Sequence, residues 1–133
     1  MSEYQFSGTV HWSETDASGR FHFSNALLWA ENAEHSLCRS IDPDVSISRM
    51  PRRSISANFS RPFLAADKYI VNLSIEKLGT SSISYAWIIE SLGEVAVEGR
   101  HVVVHIDEDG RPAPIPASLR IGLEKYLAAR SDR

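Results

Sequence analysis

Residues 13–40 read SETDASGRFHFSNALLWAENAEHSLCRS, and the change of pattern inside this stretch decides the fold. As far as Arg20 it gathers Ser, Glu, Thr, Asp and Gly with almost nothing apolar, the composition of a loop held by side-chain to backbone turns. From Phe23 onward, Phe23, Ala26, Leu27, Ala30, Ala33 and Leu37 recur at spacings of three and four, which is one apolar face of a helix. The spacing predicts a helix over about residues 24–40, with Ser24 or Asn25 near its start. Asp42-Pro43-Asp44 ends it, because proline cannot continue the ladder and disfavours helical geometry in the residue before it.

Before this helix, Tyr4, Phe6, Val10 and Trp12 alternate with Gln5, Ser7, Thr9 and His11, a period of two that predicts a half-buried strand over about residues 3–12. After it, a connector runs to Arg53, and four further strands are expected at about residues 54–60, 68–77, 82–90 and 94–106. Gly79, Leu92-Gly93 and residues 107–110 supply turns between and after them, so sequential strands read as an antiparallel meander. Pro112, Pro114 and Pro116 lead stiffly into a short last helix from Ser118, with Leu119, Leu123 and Leu127 four residues apart. One sheet and one long helix cannot cover both sheet faces, so an α+β fold that pairs with a copy of itself is expected.

The chain has 133 residues, 43% hydrophobic and 23% charged, which suits one globular domain spanning 1–133. A net charge of −3 gives no basic footprint, so nucleic acid is not an expected partner. Apolar runs fall far short of the roughly 20 residues that span a bilayer, and residues 1–6 lack a secretory pattern, so no membrane partner and a cytoplasmic location are expected. Cys38 stands alone, which excludes an internal disulfide and a cysteine-pair zinc site, and reads as a small buried residue. His101 and His105 alternate on one strand without a third ligand, so they read as structural; neither a metal nor a cofactor is expected. The G-x-S-x-G elbow, the phosphate-binding loop and the dinucleotide fingerprint are all missing, which removes the usual sites of serine hydrolases, nucleotide hydrolases and dinucleotide enzymes.

Asp16 lies beside Gly19 and just before a helix start. A carboxylate there can act as base or nucleophile while helix-terminal N–H groups stabilise an oxyanion, although a plain turn or cap fits the pattern as well. The T-D-A-S-G run at residues 15–19 is followed by a helix carrying Trp29 and Glu31. Downstream come S-A-N-F-S-R-P-F at residues 56–63, A-D-K-Y-I at 66–70 and D-E-D-G-R-P-A-P-I-P at 107–116. Together these resemble the hotdog-fold acyl-CoA thioesterases of the 4-hydroxybenzoyl-CoA thioesterase family, over nearly the whole chain. The resemblance implies an antiparallel five-stranded sheet wrapped around one long helix, with a short C-terminal helix, and hydrolysis of an acyl- or aryl-CoA to free acid and CoA. It places the catalytic carboxylate on Asp16, as general base or nucleophile, and the carbonyl-polarising backbone N–H on Phe23. It also implies a homodimer or homotetramer with the active site at the dimer interface.

Substrate contacts are expected at His22, Asn25, Asn58 and Arg61. The last belongs with Arg49, Arg52 and Arg53 to the one basic concentration in the chain, which suits CoA phosphates or a solvated connector. Two departures stand out. Where many such proteins carry histidine seven residues after the aspartate this chain has Phe23, with His22 one earlier, and a tyrosine common after the asparagine is Ala26. A non-catalytic acyl- or aromatic-binding hotdog protein is one alternative. A hotdog dehydratase or hydratase using His35 with Glu31 or Glu34 is another, although those three also read as ordinary helix-surface residues.

Overall fold

The computed structural model describes residues 3–16, 20 and 22–128. Strand β1 (Tyr4–Thr9) precedes the long helix α1 (Ser24–Ile41). Strands β2 (Arg52–Phe59), β3 (Lys68–Leu78), β4 (Ser82–Ser91) and β5 (Glu94–Val104) follow, and the short helix α2 (Ala117–Glu124) comes last. The five strands form one sheet in the order β1-β3-β4-β5-β2, with every neighbouring pair antiparallel.

The expected meander therefore holds only for β3, β4 and β5. Strand β2 does not lie next to β3; it pairs with β5 at the far edge, while β1 takes the place beside β3. The connection from β1 to β2, which contains α1 and the segment after it, carries the chain from one edge of the sheet to the other.

The inner face of the sheet packs on α1. Val71, Leu73 and Ile75 of β3 and Ile83, Tyr85, Trp87 and Ile89 of β4 are all buried, as their period of two requires. Each such large side chain contributes on the order of 1.5–3 kcal/mol by leaving water. Ala26, Ala30 and Ala33 line the helix face toward them, joined by Trp29, Leu37 and Cys38. Phe23, expected on that face, is 58% exposed instead, because it stands at the head of the helix beyond the sheet's cover.

Three other expectations change. Strand β1 stops at Thr9, and Trp12 opens a 3-10 turn (Trp12–Glu14) and is 74% exposed. Val10 spends its backbone groups on the 66–67 turn, and the Glu14 carboxylate accepts the His11 N–H at 2.8 Å, which curls the chain away from the sheet. Arg52, placed in the connector by pattern, opens β2; a bulge between Arg52 and Ser54 turns it inward. Leu127 lies past α2 and is partly exposed. Its segment pairs with the stretch of β3 beyond β1's reach: the Ile75 N–H donates to the Tyr126 carbonyl at 3.0 Å, and the Ala128 N–H to that of Ile75 at 2.7 Å.

The outer face has no cover from this chain's own helices. Gln5, Asn72, Ile88, Glu98 and Asn58 form one row across it and Ser74, Ala86, Arg100 and Ser56 the next. A hollow of about 430 Å³ lies over these two rows. No helix among the described residues is long and apolar enough to cross a membrane.

Candidate active site

The loop between β1 and α1 is tied to the core through Glu14. Its Oε1 accepts the His11 N–H at 2.8 Å and its Oε2 accepts Nε1–H of Trp29 at 3.0 Å. Trp29 is buried, stacked on Tyr69 with 4.0 Å between ring centroids and edge-on to Phe63 at 5.1 Å. Burial, and secondarily the Glu14 charge, push the Tyr69 hydroxyl up to about 12.

The Glu14 carbonyl then receives the His22 N–H at 2.9 Å and Nδ2–H of Asn25 at 2.9 Å. One turn further out, the Asp16 N–H donates to the Arg20 carbonyl at 2.7 Å, and Arg20 bridges to Leu64. These bonds tie Glu14 to His22 and Asp16 to Arg20, and Asp16 is exposed on the loop that leads into α1. Gly19, part of the expected turn, lies outside the described residues.

At the helix head the Asn25 N–H reaches the His22 carbonyl at 2.9 Å, the Ala26 N–H that of Phe23 at 3.2 Å, and the Ser24 N–H Nδ1 of His22 at 3.3 Å. The Phe23 N–H has no hydrogen bond among the described residues. The Phe23 ring stacks on His22 at 4.6 Å and meets Phe59 edge-on at 6.1 Å. A shallow hollow of about 330 Å³ opens there, lined by Phe23, Phe59, Ser60, Arg61 and Pro62. Arg61 is anchored at its wall, with Nη1 donating to the Ser91 carbonyl at 3.1 Å and to Glu94 Oε1 at 3.0 Å. Phe23 and Arg61 thus line one hollow, His22 and Asn25 are bonded at the same head of α1, and Asp16 lies on the loop that leads into it. Asn58 is not among them: it lines the outer-face hollow and pairs in register with Glu98.

This arrangement of sheet, helix and loop has counterparts. A 1,4-dihydroxy-2-naphthoyl-CoA hydrolase of Synechococcus sp. (strain RCC307) is 28% identical over 132 residues, covering 90% of this chain and 97% of its own. A "predicted thioesterase" of Bacillus stearothermophilus superposes with a TM-score of 0.87 at 26% identity, covering 97% and 99% of the two chains. A thioesterase of Thermus thermophilus, solved with coenzyme A and zinc, gives a TM-score of 0.83 at 25% identity and covers 92% of each chain. The chain has the hotdog fold of these thioesterases. No protein-family model matches it.

Within this hotdog thioesterase fold, one polar cluster was not foreseen. Glu34, expected on the helix surface, is fully buried: its Oε1 accepts Nη2–H of Arg52 at 2.8 Å and pairs with Nε2 of His101 at 2.9 Å. Arg52 also meets Glu31 at 3.5 Å. Of the four arginines weighed as phosphate contacts or a solvated connector, Arg52 is paired with Glu34 and Arg61 with Glu94. The hydratase pairing fails on the same ground. Glu34 is turned to Arg52 and His101, and His35 makes no hydrogen bond to Glu31 or Glu34, while burial lowers its proton affinity. His101 is structural, as expected, and His105 bonds the Ala113 carbonyl through Nδ1 at 3.2 Å. No group of three or more possible metal ligands occurs among the described residues. Helical periodicity treats Glu34 as one more polar position; only a sheet order that sets β2 beside β5 reveals Arg52 and His101 as its partners.

Proposed function

We propose that this chain hydrolyses the coenzyme A thioester of an aromatic acid, with Asp16 as the catalytic carboxylate and the Phe23 N–H as the oxyanion donor. Water adds its oxygen to the thioester carbonyl carbon, the C–S bond breaks, and the acid and CoA thiolate leave. Asp16 either takes the proton of that water or attacks the carbonyl itself and is released by water from the resulting anhydride; both routes need its carboxylate charged. Negative charge gathers on the carbonyl oxygen in either route. An N–H without a hydrogen bond among the described residues, at the positive end of an 18-residue helix, is suited to receive it.

The observation that supports this reading is the Phe23 N–H at the head of α1, which has no hydrogen bond among the described residues, with the exposed Asp16 on the loop that leads into that helix. The aromatic preference rests on the Phe23 and Phe59 edges at the hollow and on the naphthoyl-CoA hydrolase named among the relatives. Arg61 and Asn25 form part of the substrate's surroundings. The working unit is a homodimer with sites at the interface. Its support is the edge strand β2, which pairs on one side only and exposes Ile55 and Phe59.

A panel of benzoyl-, hydroxynaphthoyl-, phenylacetyl-, short-chain and long-chain acyl-CoAs, followed by free-thiol release, tests the reading. Turnover concentrated on the aromatic members is expected. Tight binding of an aromatic thioester with no thiol released would instead mark a binding protein.

A further inference from the structure

The head of α1 carries none of the usual Ser, Thr, Asp or Asn caps. A capping side chain ordinarily accepts the N–H two or three residues on, while its own carbonyl receives the first bond of the helix. His22 does both. Its Nδ1 accepts the Ser24 N–H at 3.3 Å, and its carbonyl accepts the Asn25 N–H at 2.9 Å. The Ser24 hydroxyl lies 2.8 Å from the same nitrogen and can only donate to it, since Nδ1 is already an acceptor. The ring is further fixed by its stack on Phe23. Phe23, with φ −54° and ψ −31°, is the cap position just ahead of Ser24, where the N–H is one of those a helix leaves without an internal partner, and it has no hydrogen bond among the described residues.

We propose that His22 is a positioning residue: its imidazole caps α1 and thereby holds the Phe23 N–H in place to receive the thioester oxygen. The inference rests on the assignment of the oxyanion donor to Phe23. It gives the histidine a task different from proton transfer or substrate contact: Nδ1 is used up as an acceptor, and the ring's single proton sits on Nε2.

The test compares wild type with His22→Asn, which retains a capping side chain, and His22→Ala, which does not, on an aromatic CoA thioester. Amide exchange of Ser24 and the nitrogen-15 spectrum of the imidazole are read on the same proteins. Expected are a kcat about tenfold lower in His22→Ala with KM little changed, since misplacing a catalytic donor acts on the chemical step. Faster Ser24 exchange in that variant, recovery of both in His22→Asn, and a wild-type spectrum of the Nε2–H tautomer complete the expectation. An unchanged kcat in His22→Ala would overturn the proposal, as would a proton on Nδ1. So would equal damage in both variants through KM, which would make the ring a substrate contact. Full activity in Asp16→Asn would overturn the site assignment instead, and the exchange and nitrogen spectra would still decide the cap on their own.

Discussion

Nε1–H of Trp87 donates to Nδ1 of His101 at 3.0 Å, and that bond dictates the state of the buried cluster. An indole can only donate, so Nδ1 carries the lone pair and the His101 proton sits on Nε2, where it donates to Glu34 Oε1. Trp87 reaches His101 only because Gly99 faces it across the β4–β5 ladder. A Cβ at position 99 would stand 2.3 Å from the Trp87 ring. Gly99→Ala should therefore cost about 2–3 kcal/mol by displacing a buried indole, read as a lower urea midpoint with altered tryptophan fluorescence.

Glu34→Ala should be at least as severe, since it removes the acceptor of both Arg52 and His101. Removing one partner of a buried pair costs about 3–5 kcal/mol, and the lower end applies because Arg52 is 20% exposed and can find water. Chemical denaturation of the folded variant measures it, and a loss below about 1 kcal/mol would reduce the cluster to the worth of a surface pair.

Stability should fall in alkali. Burial, with a smaller push from Glu34 and an opposing hydrogen bond to Tyr85, raises the Cys38 thiol from 9.0 to about 11, and Tyr69 rises from 10.0 to about 12. Burial also raises Tyr85 well above 10.0. Groups whose folded values are raised stabilise the protein fully below the unfolded values, and that contribution is lost as pH climbs through the folded ones. The urea midpoint should hold to about pH 9 and decline toward pH 12, and Tyr69→Phe should flatten part of the decline. The same burial keeps Cys38 a thiol at neutral pH, so a chromogenic thiol reagent should label it only in denaturant and leave the turnover assay without background.

Leu92 and Gly93 form the two-residue link between β4 and β5, with φ of 55° and 78°. Two positive φ values suit Asn-Gly, whereas leucine is strained there, and its side chain is 78% exposed. Leu92→Asn should raise stability by about 0.5–1 kcal/mol, seen as a higher thermal midpoint with unchanged activity.

Phe23→Pro and Phe23→Ala separate the backbone of Phe23 from its side chain. Proline accepts the φ of −54° at the first turn of a helix, so the substitution deletes chiefly the N–H. It should lower kcat by about 10²–10³, the usual cost of an oxyanion donor. Phe23→Ala retains the donor and should act mainly on KM, through the lost ring edge beside Phe59.

The legible parts of this fold are those governed by local period. Alternation in β3 and β4 and the three-four spacing of α1 gave element limits within a few residues, because each face meets a single apolar environment. Strand order was not legible, since β2 carries almost no inward apolar pattern from which its neighbour could be read. At the site, Asp16 and the helix head stood out from composition, but Glu14 did not. Its role depends on Trp29, fifteen residues on and reached only when the loop folds against the helix. Asn58 was placed by its strand, yet period two turns it to the face opposite Phe59.

Free-thiol release from a hydroxynaphthoyl-CoA by wild type and Asp16→Asn, in protein shown to be folded by its thermal midpoint, tests the central claim most directly. The account predicts turnover in the wild type and a loss of at least about 10³ in kcat in the variant, whose amide keeps the shape of the side chain but can neither attack nor accept a proton. Comparable turnover by the two proteins would contradict it.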